Sequence, residues 1–119
     1  MNDPRFDRLA ELLTTHSTRL EKGEHVLIEA FDVPEAFLCA VIKAARECGA
    51  HPHVALRSTR VLRALVDGAS ESGIETWAAI DEHRMKKMDA YIGLRGSANA
   101  SELSDVPEDR MKARGQLYM

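Results

Sequence analysis

Three short runs rich in β-branched and aliphatic residues, HVLIEA (His25 to Ala30), HPHVALR (His51 to Arg57) and DAYIGLRG (Asp89 to Gly96), punctuate this chain. Between them, apolar residues recur at helical spacing. Strands separated by helices pair in parallel through crossovers, and strands apolar along most of their length need cover on both faces. The expected fold class is therefore α/β: a three-layer domain with a small, mainly parallel sheet between helices. With 119 residues, residues 1–119 are expected to make a single α/β domain, since domains commonly run to about 100–150 residues. Three strands are few beside the roughly four to six of a common sheet. The chain also stops at RMKARGQLYM with neither a closing strand nor a helix cap. One lobe of a larger protein is the expectation.

The helices carry their own signals. Asp3-Pro4 pairs an N-cap acceptor with a proline at the first helical position. Phe6, Leu9, Ala10, Leu13 and Leu20 then mark one apolar face of a helix expected to end near Glu21-Lys22-Gly23. Asp32 is expected to cap the next helix, with Glu35 three residues on completing a capping box. That helix turns Leu38, Val41, Ile42, Ala45 and Cys48 inward and stops at Gly49. Ser58 to Gly68 and Ser72 to Met88 form two more helices. The second places Ile74, Trp77, Ala78, Met85 and Met88 inward, a stripe that Asp81 interrupts. After the third strand the small polar loop SANASELS leads to Asp105-Val106-Pro107-Glu108, a second capping signal, and a last helix.

A formal charge of −3, with basic residues scattered among acids, gives no broad attraction for phosphate backbones. Nucleic acid is thus a poor partner. The charged amino terminus and the lack of any apolar run near 18 residues give no signal peptide or membrane span, so a cytoplasmic location is expected. Cys39 and Cys48, nine apart in one helix, are too far separated to bridge and read as small apolar residues in a reducing compartment.

Candidate chemistry is sparse. His51 and His53 share one face of a strand. Two histidines so placed can share a metal, but a working site needs a third ligand and supporting partners, and no H-E-x-x-H or similar spacing joins them to His16, His25 or His83. Histidines opening a strand, beside a proline that donates nothing to the ladder, are the favoured reading. The Glu29-Ala30-Phe31-Asp32 stretch lies at the carboxyl end of the sheet, where open α/β folds bind ligands, yet its acids suit helix capping better than phosphate binding. No G-x-G-x-x-G or G-x-S-x-G motif is present. A response-regulator receiver would need an aspartate ending the third strand, where Leu94-Arg95 stand. The loop from Arg95 to Ser101, with Arg95, Ser97 and Asn99 as its polar groups, is the candidate cleft-lining loop. An ordinary solvated loop with self-bonded side chains is the competing reading.

The segments PRFDRLAELLTTHSTRLEKGEHVLIEA, AARECGAHPHVALR and MDAYIGLRGSANASELSDVPEDRMKAR, in that order, together resemble the N-terminal domain of the thermophilic-type metallo-aminopeptidases, which include the aminopeptidase T, aminopeptidase S and leucyl aminopeptidase types. The resemblance implies a cytoplasmic, homodimeric hydrolase that removes N-terminal residues from peptide substrates, using two divalent metal ions (zinc, cobalt or similar) to activate water. In that family the metal ligands belong to a second domain. The resemblance therefore assigns no catalytic residue and no metal ligand to this chain, and no cofactor of its own. Its expected partner is a missing C-terminal catalytic domain, to which it contributes cleft wall or dimer contacts. The alternative is a free-standing α/β small-molecule-binding or dimerisation module. A lobe cut from its partner should also expose apolar surface, with Leu117, Tyr118 and Met119 as expected contributors.

Overall fold

A computed structural model of the chain describes residues 3–96 and the backbone of residues 109–112. The order is α1 (Pro4–Leu12), one π-helical turn (Leu13–Ser17), β1 (His25–Phe31), α2 (Glu35–Glu47), β2 (His51–Arg57), α3 (Thr59–Val66), α4 (Glu71–Lys86), β3 (Ala90–Arg95) and β4 (Asp109–Lys112). The strands lie in the order β2-β1-β3-β4; β1 is parallel to both β2 and β3, and β4 is antiparallel to β3. A small α/β domain with a mainly parallel sheet is thus observed. The last helix expected after Pro107 is replaced, at residues 109–112, by this edge strand. An edge strand needs only one neighbour's backbone groups, whereas a helix there would need an apolar partner for one face.

Two crossovers run in opposite directions along the sheet. The first steps from β1 outward to β2 through α2, and the second returns across β1 to β3 through α3 and α4. Crossovers of one hand that run in opposite senses must use opposite faces. Accordingly, α1 and α2 pack on one face, where Phe37, Val41, Ala45, Ala10 and Leu13 meet Val26, Ile28, Ala30, Ile92 and Leu94. The ring of Phe6 tilts against that of Phe37 with centroids 5.4 Å apart. The opposite face has a smaller cluster, in which Met85 and Met88 cover Leu27, Ala55 and Tyr91.

Local chemistry sets the boundaries. Asp3 accepts the backbone N–H of Arg5, as an N-cap before proline should. The hydroxyls of Thr14 and Thr15 bond back to the carbonyls of Ala10 and Glu11. Such back-bonding bends a helix, and here the last turn widens and ends at Ser17, short of Glu21. Gly49 takes a φ of +83° after the Cys48 cap, the conformation that ends many helices at glycine. Ser58 and Ser70 cap α3 and α4 by accepting from Val61 and Gly73.

Two expectations fail here. Pro34, not Asp32, is the N-cap of α2, and it makes no side-chain capping bond, so the capping box with Glu35 does not form. Asp32 instead adopts a left-handed φ of +57°, which turns its carboxylate toward the N–H of Thr59 at the start of α3 (3.2 Å). The inward stripe of α4 is also only half right. Met85 and Met88 are buried, but Ile74, Trp77 and Ala78 are exposed. Val61 and Leu65 on α3 and Ile80 on α4 are likewise 59–66% exposed, so this side of the domain carries an uncovered apolar surface. The expected contributors Leu117, Tyr118 and Met119 lie outside the described residues. Cys39 is exposed and Cys48 half-buried at the core margin, and both are free thiols.

Candidate functional site

In a parallel sheet every strand ends on the same edge, so β1, β2 and β3 deliver Phe31, Arg57 and Arg95 side by side. Three loops leave from this edge. They are tied together: Gly96 donates its N–H to the carbonyl of Phe31 (2.8 Å), the Asp32 N–H reaches the carbonyl of Arg57 (3.3 Å), and the Asp32 carboxylate holds Thr59. A Cβ at position 96 would fall 2.6 Å from the Asp32 carbonyl oxygen, so only glycine permits this approach. Of the candidate loop, Arg95 is exposed, with its guanidinium carbon 5.2 Å from the centre of the Phe31 ring. Ser97 and Asn99 lie outside the described residues. The loop therefore starts at the carboxyl edge beside the turn that follows β1, the position at which open α/β sheets place their ligand crevices.

Below that edge, on the α4 face, lies an ionic cluster that strand patterning alone does not reveal. Glu29, in the middle of β1, accepts from Arg57 Nε (2.6 Å) and from the Tyr91 hydroxyl (2.7 Å). Arg57 Nη2 continues to Asp81 Oδ1 on α4 (3.2 Å), which also accepts from Arg84 (3.4 Å). The guanidinium of Arg57 sits 5.7 Å from the centre of the Trp77 ring. Alternation puts residues 29, 57 and 91 on one face of three adjacent strands. Both Glu29 oxygens are engaged by internal donors, so this carboxylate ties β1 to β2 and β3 and anchors Arg57, which reaches Asp81 on α4, and is not a free base or metal ligand. The sequence signal was present in two places: an acid inside an otherwise apolar strand, and an aspartate interrupting the apolar stripe of α4. Each is the other's indirect partner through Arg57.

The histidines stand at the opposite, amino edge. His25 and His51 open β1 and β2 in register, and His25 Nδ1 lies 2.9 Å from His53 Nε2. His51 and His53 do share a face, and strand pairing adds His25, which no local spacing could join to them. Among the described residues, no group of three or more His, Cys, Asp or Glu side chains is arranged to hold a metal ion. Among the described residues, no helix is long and apolar enough to cross a membrane.

Comparison with known proteins shows the family. No curated protein matches the chain. Among solved structures, wild-type AmpT from Thermus thermophilus superposes with a TM-score of 0.61 at 24% identity, over 79% of this chain but 25% of that one. The likeness shows a shared fold, and the chain spans about a quarter of the length of that protein. The profile of the thermophilic metalloprotease family M29 matches residues 2–118. The chain belongs to the M29 family of thermophilic metalloproteases.

Proposed function

We propose that this chain is the amino-terminal, non-catalytic lobe of a divalent-metal-dependent aminopeptidase that releases N-terminal residues from peptides. The observation that carries the reading is the pairing of a family match over residues 2–118 with a span of only a quarter of AmpT. The metal pair and its ligands then reside in a C-terminal domain beyond these residues, which bind no catalytic ion themselves. The uncovered apolar side chains of α3 and α4 fit a lobe that seats against more protein. The carboxyl-edge loop beginning at Arg95 is assigned to the cleft wall, facing the peptide substrate. Dimer contacts and a cytoplasmic location, in keeping with two free thiols, complete the proposal.

The test is hydrolysis of a leucyl amide by the purified 119-residue chain supplied with zinc or cobalt. No release above the metal-only blank is expected. Sustained metal-dependent release, abolished by a chelator, would place catalytic machinery within this chain and overturn the reading.

A further inference from the structure

The amino edge of the sheet gathers three of the chain's five histidines. The ring centroids of His51 and His53 lie 4.8 and 5.2 Å from that of His25. The 2.9 Å contact between His25 Nδ1 and His53 Nε2 requires one N–H and one bare lone pair, because a neutral imidazole offers one of each. The pair can therefore carry one positive charge and keep its bond, but not two. A second proton would turn two N–H groups toward each other and set two cations at hydrogen-bond distance.

The surroundings decide how costly that second proton is. From β2 the cluster faces His51, and from α4 it faces the Arg84 guanidinium. From the turn before β3 comes Asp89, whose Oδ2 accepts the backbone N–H of His25 at 2.9 Å. The nearest apolar cover on this face, Leu27 with Met85 and Met88, adds no charge. One carboxylate thus stands against three imidazoles and a guanidinium that is already directed at Asp81 (3.4 Å). Burial, and after it the charges of His25, His51 and Arg84, hold the His53 ring below its ordinary value of 6.5.

We propose that His25, His51 and His53 form a proton-operated clip joining the amino ends of β1 and β2 beneath the carboxyl end of α4, closed while the His25–His53 pair carries at most one charge. The sign follows from linkage. A histidine whose folded pKa is depressed is protonated first in the unfolded chain, so its contribution to stability is complete above about pH 6.5 and is lost as pH falls through the lower folded value. Acid therefore loosens the amino edge and the end of α4 that rests on it.

The experiment is an NMR titration of the histidine rings in the full chain, stripped of metal with a chelator, from pH 8 to pH 5. The expected result is that the His53 ring titrates below 6.5, and that the ring signals of His25 and the amides of Leu27 and Met88 shift with it. In His53→Gln thermal stability should fall less between pH 7 and pH 5.5 than in the wild type. Titration of His53 at or above 6.5, or a His53 titration with no accompanying shift in the His25 ring signals, would overturn the proposal, and this wild-type result decides the matter even if the variant fails to fold.

Discussion

Removing a single oxygen tests the ionic cluster most cleanly. Tyr91 is 2% exposed, and its hydroxyl donates to Glu29 Oε1 at 2.7 Å while Arg57 occupies the other carboxylate oxygen at 2.6 Å. Tyr91→Phe keeps the ring packing and leaves one oxygen of a mostly buried carboxylate without a donor. Hydrogen bonds to charged groups contribute about 1.5–3 kcal/mol. Some solvent still reaches the pair, since the side chains of Arg57 and Glu29 are 16% and 11% exposed, which favours the lower half of that range, about 2 kcal/mol. For a domain of this size each kcal/mol moves the midpoint by about 4 °C, so Tyr91→Phe should lower Tm by about 8 °C. Glu29→Gln made in the wild type and in Tyr91→Phe completes a cycle, and the two effects should fall short of additive by about 1 kcal/mol or more because the residues share one bond. Urea and thermal unfolding at pH 7 supply both numbers. Repeating the pair in 1 M salt should leave the Tyr91→Phe loss intact, because buried interactions are weakly screened. A loss under about 0.5 kcal/mol, or an additive cycle, would refute the claim that Tyr91 and Glu29 are coupled members of one buried cluster on the sheet.

Two further substitutions probe the carboxyl edge. Gly96→Ala places a methyl group 2.6 Å from the Asp32 carbonyl, and urea unfolding should report a loss of about 1–3 kcal/mol from the forced shift. Asp32→Ala removes the acceptor for Thr59 and leaves an alanine at a φ of +57°; the same assay should show a loss of about 1–3 kcal/mol, with Asp32→Asn retaining most of the stability because asparagine tolerates that backbone and can still accept.

What could be read from the sequence, and what could not, divides along physical lines. The strands at His25, His51 and Asp89 announce themselves through apolar runs bounded by turns, and β1 and β2 run over the residues or nearly the residues that those runs mark. Local caps were equally legible where the partner is three or fewer residues away, as at Asp3. Asp32 was misread because its true partner, Thr59, is 27 residues on, and an acid before a helix looks the same whichever helix it caps. The His25–His53 contact and the Glu29–Tyr91 bond, at separations of 28 and 62 residues, depend on strand order, which no local pattern encodes. Ile74 and Trp77 mislead for another reason. Their helical spacing is real, but it describes a face for which the described residues supply no cover. The placement of the metal ligands in another domain rests on the family resemblance alone.

The unequal dressing of the two sheet faces has a kinetic meaning. One face is closed by α1 and α2 over a broad core that includes Phe37, Val41 and Ile28, whereas α4 contributes only Met85 and, just past its end, Met88, and α3 contributes no buried residue. Segments with little buried apolar area open at a small fraction of the free energy needed to unfold the whole. The amides of α3 and the first turns of α4 should thus exchange with solvent through local opening, while those of β1 and α2 wait for global unfolding. The domain is in this sense two materials joined at one sheet: a rigid plate of strands and α1–α2, and a compliant flap that, among the described residues, is riveted by Arg57 with Asp81, Asp32 with Thr59 and the two methionines.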